Sequence, residues 1–223
     1  MIPIAHIQTD LPCKFGIPRQ SGLVPELKGK IVFESEYRNA DAVRGLDGFS
    51  HVWLLWEFSD VQRNSWSPTV RPPRLGGNKR IGVFASRSPF RPNPIGLSVV
   101  RLNEIEQNEK LGAILHVSGV DLMDGTPIYD IKPYISYTDR ISEASGGFTS
   151  DSEFVRLHPI FPEELLRMIP KEKHQALLKL LALDPRPAYQ TDSQRIYGFS
   201  FAGYDIRFQV NDDVLTVVDV SLS

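Results

Sequence analysis

The sequence predicts a mainly β fold: an antiparallel barrel or sandwich followed by a small C-terminal α+β domain. Short runs rich in Val, Ile and aromatics fill the first two thirds of the 223 residues, and Gly, Pro, Asn or Asp punctuates the gaps between them. Leucines at helical spacing occur only late in the chain. No long helical pattern separates the early runs, and no G-x-G-x-x-G or P-loop follows a strand pattern, which argues against βαβ units and a Rossmann sheet.

In order, the strand candidates are "IPIAHIQT", "GKIVFE", "HVWLLWEF", "RIGVFAS", "IGLSVVRLN", "GAILHVSGV" and "PIYDIKPYI". Several alternate apolar with polar residues, as half-buried strands do. Residues 143–154, "EASGGFTSDSEF", are small, polar and Gly-rich, so they read as a linker or exposed loop. The domain boundary falls there, giving a β domain over 1–147 and a C-terminal unit over 148–223. In that unit "PEELLRMIP" and "KEKHQALLKLLALDP" predict helices bounded by prolines. The runs "RIYGFSFA", "YDIRFQVN" and "VLTVVDVSL" predict strands joined by tight turns at Ala202-Gly203 and Asp212-Asp213.

Composition narrows the function classes. The single cysteine, Cys13, excludes an internal disulfide framework, and five scattered histidines offer no metal-ligand spacing, so no metal is expected. No apolar run is long enough to cross a bilayer and the N-terminus lacks the pattern of a signal peptide, so no membrane partner and a cytoplasmic location are expected. The formal net charge of −2 argues against whole-surface attraction to nucleic acid, DNA included. That mean conceals a segregation: residues 61–103 contain no Asp or Glu but eight basic residues, Arg63, Arg71, Arg74, Lys79, Arg80, Arg87, Arg91 and Arg101.

Prolines and glycines alternate through this basic window in "RPPRLGGNKRIGVFASRSPFRPNPIGL". Proline fixes φ and pushes its predecessor towards extended geometry, so the Ser88-Pro89, Arg91-Pro92 and Asn93-Pro94 pairs are held open. Gly76, Gly77 and Gly96 permit close approach to the backbone. A stiff cationic loop binds a ligand at low entropic cost, whereas the plainer reading is a rigid connection between two strands.

These segments, with "DLMDGTPIYDIKPYI", "DPRPAYQ", "FGIPRQSGL" and "ADAVRGLDGFSHVWLLWEF", resemble the TrmO or TsaA-like family, and the resemblance covers nearly the whole chain. The family consists of S-adenosylmethionine-dependent tRNA adenine-N6 methyltransferases. The resemblance implies a homodimer whose core is a single-sheet antiparallel β-barrel, the first of the two folds the strand pattern allows, and which binds S-adenosylmethionine outside any Rossmann sheet. Its implied substrate is a tRNA anticodon stem-loop carrying N6-threonylcarbamoyladenosine on the 3′ side of the anticodon.

By the same resemblance Pro18, Arg19, Gln20, Ser59, Asp60, Arg87, Leu97, Asp124, Gly125, Thr126 and Pro127 surround the cofactor. Arg87 or Arg19 suits a forked bond to the methionine carboxylate, Leu97 suits the adenine face, and the Asp124-Gly125 turn offers backbone groups to the base edge. Taken singly, "DGT" is an ordinary turn and Arg19 a solvated side chain.

The acceptor nitrogen is shared between a purine and a urea-like carbonyl, which makes it a poor nucleophile and gives a general base something to do. Asp121, Asp124 and Asp130 are the nearby carboxylates, with Asp130 favoured because Tyr129 and Lys132 flank it. Orientation without a base is the alternative. For tRNA phosphates and unpaired bases the candidates are Arg71, Arg74, Lys79, Arg91, Arg186 and Tyr189. Trp53 and Trp56 read as core or dimer-interface side chains, and His51 and His116 as core or edge histidines. A non-catalytic module that holds S-adenosylmethionine or RNA is the rival reading.

Overall fold

The computed structural model describes residues 1–59, 66–72, 75, 79–150, 156–186 and 192–223. Six strands close into a barrel: β1 (Ala5–Thr9), β2 (Lys28–Phe33), β3 (His51–Glu57), β6 (Ile95–Asn108), β7 (Gly112–Ser118) and β8 (Pro127–Pro133). Their order around the barrel is β1-β2-β7-β6-β3-β8, every pairing is antiparallel, and β8 returns to β1 through Ala5 and Ile128. The strand pattern is compatible with a barrel or a sandwich, and the closed single sheet observed is the barrel that the family resemblance implies. Closure removes the free edges that an open sheet of these strands would present.

The period of two decides what lies inside. Ala5, Ile7, Ile31, Val52, Leu54, Trp56, Val100, Leu115 and Ile128 point into the barrel and form its core. Gly96 faces inward opposite Trp56, and a Cβ there would stand 2.2 Å from the indole Cε2. The indole thus occupies the space a side chain at 96 would need.

One strand candidate shrinks. In "RIGVFAS" only β5 (Ile81–Gly82) is extended, and it pairs with β4 (Thr69–Val70) in a two-stranded ribbon outside the barrel. A 3₁₀ turn over Val83–Ala85 follows, closed where the Ser86 hydroxyl and N–H both donate to the Val83 carbonyl. That serine bonding competes with a longer strand.

The C-terminal unit is a four-stranded sheet built from β9 (His158–Ile160), β10 (Tyr197–Phe201), β11 (Tyr204–Asn211) and β12 (Val214–Leu222), in the order β10-β11-β12-β9. After α1 (Ser136–Asp139), helices α2 (Glu163–Leu166) and α3 (Lys171–Ala182) lie between β9 and β10 in chain order. Positive φ at Ala202, Gly203 and Asp212 makes the two tight turns. β9, which pairs parallel with β12, was not anticipated, because three residues containing a proline carry no strand pattern.

This unit docks through α3 and the β10 end of the sheet on the segment that joins β1 to β2. Lys173 pairs with Asp10, Lys179 pairs with Glu26, the Ala202 N–H donates to the Asp10 carbonyl, and Phe199 packs against Gly16.

Replacing Gly96 by alanine should drive the new methyl into the Trp56 ring and destabilise the barrel by about 2 kcal/mol, the range of overpacked cores. Urea denaturation should show a lower midpoint at an unchanged slope.

A candidate cofactor site on one rim of the barrel

Register brings distant motifs together. Thr9 pairs with Gly29, Lys28 and Arg101 pair with Ser118, Glu57 pairs with Ile95, and Trp56 pairs with Ile128. The C-terminal ends of β1, β3 and β7 therefore share a rim with the N-terminal ends of β2, β6 and β8. The loops over 10–27, 58–94 and 119–126 all leave from that rim. They carry the Pro18-Arg19-Gln20 segment, Ser59 with Arg87, and the Asp124-Gly125-Thr126 turn that runs into Pro127.

Hydrogen bonds tie these loops to one another. The Arg87 guanidinium donates to the Gln20 side-chain carbonyl, and the Ser21 hydroxyl accepts the Val99 N–H at 3.2 Å. The Gly22 N–H donates to the Gly119 carbonyl at 2.9 Å. Asp124 accepts the Thr9 N–H on its carboxylate at 2.8 Å, and the Gly125 N–H donates to the Ile7 carbonyl at 2.8 Å. Gly125 has a φ of +74° with open space beyond its Cα, so its backbone can be approached closely. Thr126 is buried, its hydroxyl on the Met123 carbonyl at 2.6 Å.

Of the expected cofactor residues, Pro18 is buried, Arg19 and Ser59 are exposed, and Leu97 keeps 52 % of its surface open. Asp60 lies outside the described residues. Leu97 is the third residue of β6, on the strand's outward face, with Leu55 of β3 as its register partner.

Leu55 is in turn the register partner of Asp130 on β8. Leu97 and Asp130 thus share the outer face of the barrel two strands apart, about 10 Å at the usual spacing. The Asp130 carboxylate meets Lys132 at 2.9 Å and accepts the Ile131 N–H at 2.9 Å. Tyr129 donates its hydroxyl to Glu57, which raises the phenol above its ordinary range.

Asp121, rather than the Asp130 that flanking Tyr129 and Lys132 favour in the sequence, is the carboxylate that burial sets apart. Its Oδ1 accepts the Ser98 hydroxyl at 2.6 Å, and Ser98 accepts the Trp56 indole N–H at 3.0 Å. Burial pushes the Asp121 carboxyl up to about 6, opposed by bonds from Ser98 and from the Asp121 and Ser21 N–H groups, and by the charge of Arg87. Ser98 is a polar residue at an inward position of "IGLSVV", and that break in the alternation was the available signal.

The basic candidates divide. Arg71 and Lys79 are exposed at the same end of the β4–β5 ribbon. Arg91 is turned inward, donating to the Val83 and Ser86 carbonyls at 3.2 and 2.6 Å and lying over the Phe84 ring. Arg186 is forked onto Asp184 at 2.8 and 2.9 Å. Arg63, Arg74, Gly76, Gly77 and Tyr189 lie outside the described residues. Residues 14–19 and 183–186 line a cleft of about 310 Å³ between the barrel's rim loop and the end of α3. Among the described residues no group of three or more His, Cys, Asp or Glu is placed to hold a metal ion.

Fold and rim define a barrel protein whose long loops converge at one end of a closed antiparallel sheet. The tRNA-methyltransferase O N-terminal domain model matches residues 6–140, and the TrmO C-terminal domain model matches residues 161–223. The chain is 42 % identical over 217 residues to the tRNA (adenine(37)-N6)-methyltransferase of Escherichia coli, covering 94 % of this chain and 92 % of that protein. It is 37 % identical to a Pseudomonas aeruginosa protein named "Putative S-adenosylmethionine-dependent methyltransferase RcsF", over 98 % of this chain and 96 % of that one. A crystal structure of TrmO from Pseudomonas aeruginosa superposes with a TM-score of 0.79 at 33 % identity, covering 99 % of this chain and 95 % of that one. The chain belongs to the TrmO family.

Replacing Ser98 by alanine removes a donor that favours the ionised carboxylate, so Asp121 should titrate above its present value of about 6. Carboxyl-carbon NMR across the titration measures it, and a downward move would contradict the assignment.

Proposed function

We propose that this protein uses S-adenosylmethionine to methylate N6 of an adenosine beside the tRNA anticodon, and that this adenosine already carries an N6-threonylcarbamoyl group. The observation that carries the reading is the convergence of the Pro18–Gln20, Arg87–Leu97 and Asp124–Pro127 segments on one barrel rim in a chain of the TrmO family.

The residue types on the rim fit the cofactor. Arg87 stands exposed for a carboxylate, Leu97 offers an apolar face for a purine, and the open backbone at Gly125 admits a base edge. S-adenosylmethionine, when bound, supplies an electrophilic methyl on a positively charged sulfur. The chain's own work is to orient this donor and to manage the N6 proton. Asp130, on the same face as Leu97, takes that proton as N6 gains its methyl, and Lys132 holds the carboxylate in place. Arg71 and Lys79 at the ribbon end meet tRNA phosphates.

The protein acts as a cytoplasmic homodimer. Trp66, Phe84, Phe90 and Ile95 are exposed large apolar side chains along one stretch of chain, and a second copy of the barrel covers them. A Phe84→Asp variant should run as a monomer in light scattering where the parent runs as a dimer.

Labelled cofactor incubated with tRNA should transfer its methyl only when the threonylcarbamoyl group is present. Equal transfer to both tRNAs would contradict the substrate, and transfer to neither would favour a binding module. Arg87→Ala should lower kcat/KM about thirtyfold, the loss of a charge-assisted bond. Asp130→Asn should lower kcat by about 10² or more, the contribution of a general base.

A further inference from the structure

We propose that Asp121 is the anionic partner of the cofactor's α-ammonium group, so that Arg87 and Asp121 together read the two charges of its amino-acid end. This rests on the S-adenosylmethionine reading above.

Three loops and strands meet at this carboxylate. It lies on the 119–126 loop, bonded to Ser98 of β6 and to the N–H of Ser21, next to Gln20, which Arg87 holds. Ser98 has one hydroxyl proton. Because it accepts the Trp56 indole N–H, that proton is committed to Asp121. Trp56 is in turn fixed over Gly96, so the chain of donors has a set direction and ends on an acceptor.

Arg87 is the charged side chain that acts on Asp121 among the described residues, and its guanidinium is drawn towards Gln20; Ser98, Ser21 and Trp56 are neutral. Burial raises the carboxyl while these donors oppose it, which leaves a group that a nearby cation would ionise. Asp124, three residues on in the same loop, is exposed and already accepts the Thr9 N–H. An α-carboxylate beside Arg87 leaves its α-ammonium needing an acceptor, and Asp121 stands next to the same loop.

Calorimetry with S-adenosylmethionine, S-adenosylhomocysteine and 5′-methylthioadenosine tests this, since the last lacks the amino-acid end. Wild-type affinity for S-adenosylhomocysteine should rise about tenfold from about pH 5 to about pH 8, the ionised fraction of an acid titrating at about 6, with a proton released on binding. Asp121→Asn should weaken both amino-acid-bearing ligands about thirtyfold, abolish the pH dependence and leave 5′-methylthioadenosine unchanged. Ser98→Ala keeps the carboxylate and should shift the pH midpoint upward.

A pH-independent wild-type affinity would overturn the proposal, as would equal weakening of all three ligands. Loss confined to S-adenosylmethionine would overturn it in favour of a sulfonium contact. Failure of the wild type to bind any of the three would sink the cofactor reading itself.

Discussion

Closure of six strands in antiparallel register is the constraint on which the site depends. Each strand pair fixes which loop ends are neighbours, so the β3–β6 and β3–β8 registers place Glu57, Ile95 and Ile128 at one level. A slip of one residue would turn Leu97 inward and Ser98 outward, destroying both the apolar face and the bond to Asp121. The core side chains Val52, Leu54, Trp56 and Val100 make such a slip costly, because the same move would expose them. Core packing and site geometry are therefore set by the same alternation.

The rim joins rigid and polar parts in a particular way. Trp56 fills the space over Gly96 and passes a hydrogen bond outward through Ser98 to a partly buried carboxylate. The acid is held by donors from three chain segments and sits in surroundings that disfavour its charge. An arrangement of this kind makes binding of a cation and ionisation of the acid mutually dependent. The C-terminal unit contributes from outside: Lys173 and Lys179 of α3 grip Asp10 and Glu26 on either side of the 13–20 segment, which limits how far that loop can move.

Much of this was legible in the sequence because alternation, turn residues and long motifs are local signals. The seven early strand candidates include all six barrel strands, and Gly203 and Asp212 mark the turns of the C-terminal meander. What was not legible depended on distant partners. β9 exists through its pairing with β12, and its own residues carry no pattern. Arg91 and Arg186 are a local case: the Val83 and Ser86 carbonyls and the Asp184 carboxylate, two to eight residues away, bond them in the structure. Asp121 gained its place from Ser98 and Ser21, 23 residues away in the first case.

Hydrogen exchange with and without S-adenosylhomocysteine tests the central claim most directly, that the donor sits on the rim formed by these three loops. Added ligand should slow exchange at amides within 18–22, 87–97 and 121–127 together, and leave the C-terminal sheet unchanged. Protection that spared those segments, or that fell on β10 to β12 instead, would contradict the account.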